Sequence, residues 1–209
     1  MAYLNNTFAS MIKDELEKSI ETKKLVIERS IPLLNEIAHV MIEGMRNGNK
    51  LLIFGNGGSA ADSQHMAAEF VGKFNMVRKA LPALALTTDT SILTSISNDD
   101  AFENVFARQI EALGRASDIA LGISTSGNSP NVLKGLAQAA EMGLVTIGFT
   151  GQGGGKLKHV ADYCFRAPSD HTARIQEVHI TVAHALCGIV EEELCSAPEK
   201  ILNGGQDLS

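Results

Sequence analysis

Five short apolar runs separated by helical patterns predict a doubly wound α/β fold, in which a parallel sheet is covered by helices on both faces. The runs are "LLIF" (51–54), "ALALT" (83–87), "IALGIS" (119–124), "LVTIGFT" (144–150) and "YCFRA" (163–167). They are largely continuous in apolar residues rather than alternating, as strands buried on both faces are. The intervening segments place their apolar residues at helical spacing, and a long helical stretch precedes the first run.

From about residue 5 to residue 48 the pattern is helical, and it breaks at Ser30, where an N-cap residue and the early-helix Pro32 start a second helix ending at "RNGNK". "AFENVFARQIEALG" sets Phe102, Val105, Phe106, Ile110 and Leu113 along one helical face. "SPNVLKGLAQAAEMG" opens with Ser129 as cap and Pro130 in the first turn, and closes on Gly143. The last helix runs from about Thr172 to Cys195, and the tail "SAPEKILNGGQDLS" reads as weakly ordered. With no internal repeat and no linker, residues 1–209 read as one domain: helices over about 5–48, an αβα core over about 50–196, and a tail over 197–209.

Composition narrows the function. The 209 residues are 44% hydrophobic and 20% charged, which is globular rather than disordered, and the length is enough to bury a sizeable core. A net charge of -6 without a Lys/Arg cluster argues against a nucleic-acid surface, the most basic neighbourhood being "GGKLKH". The first residues lack a signal-length apolar stretch, and no window reaches the roughly 18 apolar residues of a membrane span. Cys164, Cys187 and Cys195 show no CxxC spacing, so a reduced cytoplasmic protein without a zinc–thiolate site is expected.

Ligands of a doubly wound sheet collect beyond the carboxyl ends of its strands. Two loops there are rich in small residues: "GNGGSAAD" after the first run and "STSGNSPN" after the third. Both lead into helix starts, where free N–H groups and the helix dipole favour an anion. Ser124, Thr125, Ser126 and Ser129 add hydroxyl donors, and Gly127 frees the backbone to place them. Neither loop is a GxGxxG fingerprint, and no GxxxxGK followed by Ser or Thr exists. Turns and caps would also explain each loop taken alone. Two of them, with no lysine or arginine in either, favour a single phosphate monoester.

His65 and Glu69 stand at i and i+4 and share a helix face, as a surface pair or a functional one. "TARIQEVHITVAHAL" places Arg174, Gln176, Glu177, His179 and His184 on the last helix, where His184 stands among apolar neighbours and needs a partner. Gln176 and His184 lie about 12 Å apart along the axis. They converge on one ion or substrate only if both lean inward or a second subunit contributes.

Together, "GNGGSAADSQHMAAE", "SISNDDAFENVFARQIEALG", "GISTSGNSPNV" and "RIQEVHITVAH" resemble the bacterial sedoheptulose-7-phosphate (phosphoheptose) isomerases of the sugar isomerase (SIS) superfamily, over about residues 5–196. The resemblance implies a five-stranded parallel sheet, a homotetramer with active sites where subunits meet, and conversion of sedoheptulose 7-phosphate to D-glycero-D-manno-heptose 7-phosphate. That reaction is the first step towards nucleotide-activated heptose for lipopolysaccharide core or other surface glycans.

By resemblance, Asn56, Gly57, Gly58 and Ser59 match the first substrate loop, Ser124, Thr125, Ser126 and Ser129 the phosphate loop, and Asn98 and Asp99 a substrate-contacting pair. Glu69 and His184 match the acid/base pair, with Glu69 and Gln176 also touching substrate. His65, Glu69, Gln176 and His184 match a zinc site of some members. Base and ligand are competing or sequential roles for Glu69. Where some members have Asp before the Arg of "RIQE" this chain has Ala173, with Asp170 three residues earlier, which leaves only an auxiliary acid in question.

A sister group of the same fold binds the bacterial replication initiator protein as a homotetramer, and other SIS modules sense sugar phosphates without turnover. The initiator binders tend to have Ser at the Glu69 position and a non-histidine at that of His184. The presence of both groups here selects the enzyme.

Overall fold

The computed structural model describes residues 2–196, with side chains from residue 7 onward. The tail expected to be weakly ordered lies outside the described residues. Helices α1 (Ala2–Arg29) and α2 (Ile31–Arg46) precede β1 (Leu51–Gly55), α3 (Gly58–Val71) and β2 (Ala83–Ala85). Helices α4 (Thr90–Asp99) and α5 (Val105–Leu113), bridged by a 3₁₀ turn over Phe102–Asn104, lead to β3 (Ile119–Ile123) and α6 (Pro130–Glu141). Strand β4 (Val145–Gly151), a 3₁₀ turn over Leu157–His159, β5 (Tyr163–Ala167) and α7 (Thr172–Cys195) complete the described chain.

All four strand pairings are parallel, in the order β2-β1-β3-β4-β5. The first three connections return across the sheet through α-helices, and β4 reaches β5 through the 3₁₀ turn over Leu157–His159. Side chains alternate between two cores, as the pleat requires. Leu51, Ile53, Ile119, Leu121, Ile147 and Phe149 face α1, α2, α3 and α7. Leu52, Phe54 and Ala120 face the other side, where Val105, Phe106 and Ile110 of α5 and Val132, Leu136 and Ala139 of α6 close over them. Burial on both faces explains why the strands read as continuous apolar runs.

The expected elements are present, with three corrections. The second strand stops at Ala85, two residues short of the expected "ALALT", because Leu86 turns into the α5–α6 core. Helix α4 was not foreseen: it buries no residue, is rich in Ser and Thr and carries only Ile92, Leu93 and Ile96 as apolar residues, but Asp89 caps it by accepting from the Ile92 N–H at 3.0 Å. Ser129 does occupy the N-cap position of α6, yet its hydroxyl makes no capping bond and faces Ser124 instead. Among the described residues no helix is long and apolar enough to cross a membrane.

Candidate active site

The strand order reverses between β1 and β3, and at that switch point the connections leave the sheet in opposite directions and open a crevice. The two loops singled out in the sequence border it. Gly57 ends the first with φ 56° and ψ −121°, backbone angles open in practice only to glycine. In the second, Gly127 has φ 66°, and a Cβ there would lie 2.2 Å from the Gly154 carbonyl oxygen. The loops are joined by a reciprocal amide pair: Asn56 Nδ2 donates to Asn131 Oδ1 and Asn131 Nδ2 to Asn56 Oδ1, each at 2.8 Å.

At the start of α6 three hydroxyls converge. Ser124 Oγ lies 2.8 Å from Ser129 Oγ and 3.5 Å from Ser126 Oγ, and Ser126 Oγ accepts from the Asn128 N–H. Thr125 joins them through its backbone, its carbonyl accepting from the Gly151 N–H. Small donors gathered at a helix N-terminus without a cationic side chain can hold a singly or doubly charged oxyanion.

Helices α3 and α7 run alongside each other on the opposite face of β1. Gln176, near the start of α7, abuts Gly58, whose added Cβ would meet the Gln176 amide nitrogen at 2.4 Å. Two turns further along, His184 Nε2 lies 2.9 Å from His65 Nε2, and His65 Nε2 lies 3.1 Å from Glu69 Oε1. His184 thus has the partner its apolar surroundings demand, and the core histidine of α7 is a different one. His179 is 1% exposed, with its Nε2 at 3.1 Å from the Thr150 carbonyl oxygen. Burial, opposed by that bond, lowers its pKa to about 4.

The three ligand atoms of His65, Glu69 and His184 lie within 4.8 Å of one another and form a group that could hold a metal ion. Two imidazoles and a carboxylate are also a donor set that binds divalent transition metals and leaves a position open. Asp62, one turn before His65, brings a second carboxyl group near. Burial raises its carboxyl above the ordinary range, opposed by His65 and His184, and its Oδ2 has no hydrogen-bond partner.

The structure therefore brings Asn56 and Gly57–Ser59 together with the Ser124–Ser129 loop, and His65 and Glu69 together with His184. It leaves Asn98 and Asp99 apart. They lie exposed at the end of α4, where Asn98 donates to Asp99 at 2.8 Å, and no hydrogen bond among the described residues ties them to either loop. Sequence reasoning missed four residues: Asp62, Asn131, Arg78 and Glu191. Glu191 was discoverable, since the buried positions Ala183 and Cys187 of α7 recur at intervals of four and point to it.

Comparison with known proteins places the chain in a family. Residues 12–151 match the SIS domain, and the chain belongs to that family. Within it the chain belongs to the phosphoheptose isomerases. It is 55% identical to the phosphoheptose isomerase of Roseiflexus sp. (strain RS-1), over 91% of this chain and 96% of that protein. The structure of a phosphoheptose isomerase from Neisseria gonorrhoeae superposes with a TM-score of 0.84 at 41% identity, covering 88% of this chain and 99% of the other. One from Francisella tularensis gives 0.85 at 36%, covering 88% and 97%. The initiator-binding alternative gains no support from these relatives.

Proposed function

We infer that the chain is an aldose–ketose isomerase that interconverts sedoheptulose 7-phosphate and D-glycero-D-manno-heptose 7-phosphate through an enediol. The observation that carries this reading is the convergence of His184 on His65 and Glu69 beside the switch-point loops. It sets a carboxylate and two imidazoles between α3, which starts from the first loop, and α7, whose Gln176 abuts that loop, and the two solved relatives named above share the fold around them.

The chemistry follows from the groups. The hydroxyls of Ser124, Thr125, Ser126 and Ser129, with the N-terminus of α6, hold the phosphate. Asn56, Gly57, Gly58, Ser59 and Gln176 bound the sugar chain, whereas a substrate contact for Asn98 and Asp99, which stand apart on α4, rests on the resemblance to the family alone. Glu69 takes the proton from C1 of the ketose while His184 protonates the carbonyl oxygen at C2. The enediol's C2 then regains a proton, and O1 gives its own up as the C1 aldehyde forms.

The ion that His65, Glu69 and His184 suit is zinc, which when bound polarises the carbonyl and stabilises the developing oxyanion. Glu69 engaged by a cation is a weaker base, so its two roles are competing or sequential. Gln176 already stands at the first loop. As a fourth ligand its amide would have to leave Gly58 or come from a second subunit.

A homotetramer with sites at subunit boundaries is the assembly proposed. It is supported by an apolar stripe on α1, where Phe8, Ile12, Leu16 and Ile20 recur every fourth residue and are each more than half exposed. Three free cysteines suit a reducing cytoplasm.

The test is turnover of sedoheptulose 7-phosphate followed by NMR, with and without zinc, alongside Glu69→Gln. Conversion that falls about 10²- to 10⁴-fold in the variant, with sugar-phosphate affinity retained, supports the assignment. Wild-type rates in Glu69→Gln refute it.

A further inference from the structure

The last turn of α3 carries Glu69 and leaves backbone carbonyls without helical partners. Arg78 takes up three of them, the Phe70 carbonyl also accepting from the Leu81 N–H. Arg78 Nη2 donates to the Glu69 carbonyl oxygen at 2.8 Å, and Nη1 donates to those of Phe70 at 2.8 Å and Gly72 at 3.3 Å. The same guanidinium gives its Nε–H to Glu191 Oε1 at 2.8 Å. Glu191, far along α7, also accepts the successive N–H groups of Phe74, Asn75 and Met76 at 2.9, 2.6 and 3.1 Å. Both side chains are almost fully enclosed, 4% and 1% exposed.

The segment gathered by this pair has a second contact. The Phe74 ring stacks on the His184 imidazole, with centroids 5.8 Å apart and planes 25° from parallel. It is backed by Gly188, where an added Cβ would lie 3.2 Å from the ring. One ion pair therefore fixes the backbone of Glu69 directly and the ring of His184 through Phe74. A buried ion pair is by itself a weak source of stability, because well-packed apolar residues serve as well. Apolar residues, though, could not collect the three N–H groups and the carbonyls that set the spacing of α3, the following loop and α7.

We propose that Arg78 and Glu191 are positioning residues for the Glu69/His184 pair, acting through the Glu69 backbone and the Phe74 ring. This rests on the isomerase reading given above. Neither residue touches the reacting atoms, and their effect is on the mutual placement of the groups that do.

Two variants test it from opposite ends. Glu191→Gln removes the carboxylate that receives four donors. Phe74→Leu leaves the ion pair in place and removes only the stacked ring. Each, shown to be folded by circular dichroism, should lower kcat for sedoheptulose 7-phosphate by about 10- to 100-fold. KM should stay within about threefold, because the phosphate hydroxyls belong to other elements. Zinc affinity of the His65/Glu69/His184 group, measured by competition with a chromophoric chelator, should fall about tenfold.

Folded variants with lower melting temperature but wild-type kcat and zinc affinity would show a structural clamp only and overturn the proposal. If Glu191→Gln does not fold, Phe74→Leu decides alone. If the wild-type protein does not isomerise the substrate, the isomerase reading fails separately, and the zinc competition still decides whether the network positions the group.

Discussion

A methyl group on Gly58 would intrude where α7 meets the first loop. Its Cβ would lie 2.4 Å from Gln176 Nε2 and 3.0 Å from Gln176 Cδ, whereas ordinary contact begins at 3.4 Å, so the amide must retreat by about 1 Å. The obstacle is the far end of a flexible side chain, and the φ of Gly58 is not in the left-handed region, so the fold absorbs the change. Alanine also enters a helix more readily than glycine. Gly58→Ala should therefore leave stability unchanged or raise it by up to about 1 kcal/mol, a rise of at most about 2–4 °C in melting temperature. A site residue displaced by about 1 Å can cost on the order of 100-fold in rate, so kcat/KM for sedoheptulose 7-phosphate should fall about 10- to 100-fold. Calorimetry and an NMR turnover assay on the same preparation separate the two effects. Unchanged kcat/KM would refute a working role for Gln176 at this loop, and a melting temperature lowered by more than about 5 °C would refute the claim that the fold tolerates the methyl.

Ser124→Ala should weaken sugar-phosphate binding by about 3- to 10-fold, one hydrogen bond's worth, with little change in kcat. A pure rate effect at unchanged affinity would remove Ser124 from the phosphate cradle. Zinc titrated into chelator-stripped protein should saturate at about one ion per chain, and His65→Ala should weaken its affinity at least about tenfold. Unaltered affinity would place the ion elsewhere. His179 is held neutral, with its pKa lowered to about 4 by burial. The unfolded chain binds this proton already below about pH 6.5, so the stability contributed by the neutral ring is complete above that pH and is lost progressively as pH falls towards 4. The loss amounts to about 3 kcal/mol at most. Urea midpoints at pH 7 and pH 4.5 should accordingly converge in His179→Gln relative to wild type, and equal acid sensitivity of the two proteins would rule His179 out as its source.

Much of this molecule is written locally. Strands enclosed on both faces must be apolar throughout, so "LLIF", "IALGIS" and "LVTIGFT" declare a parallel sheet from their own composition. The glycines at positions 57 and 127 and the run of hydroxyls after β3 mark the two loops at the switch point, because only those residue types adopt that backbone and present donors without bulk. Helical period placed His65 and Glu69 on one face. The partner that turns this face into a site lies 119 residues away from His65, and only the packing of α7 along α3 supplies it. Period alone likewise could not say which histidine of α7 is enclosed. The answer is His179, because Phe149 and Phe165 of the neighbouring strands close around its ring. Arg78 resembles any surface charge, and the period of α7 marks Glu191 as enclosed without naming its partner, until the two chain segments meet, since the low dielectric that gives an ion pair its consequence exists only once the fold has excluded water.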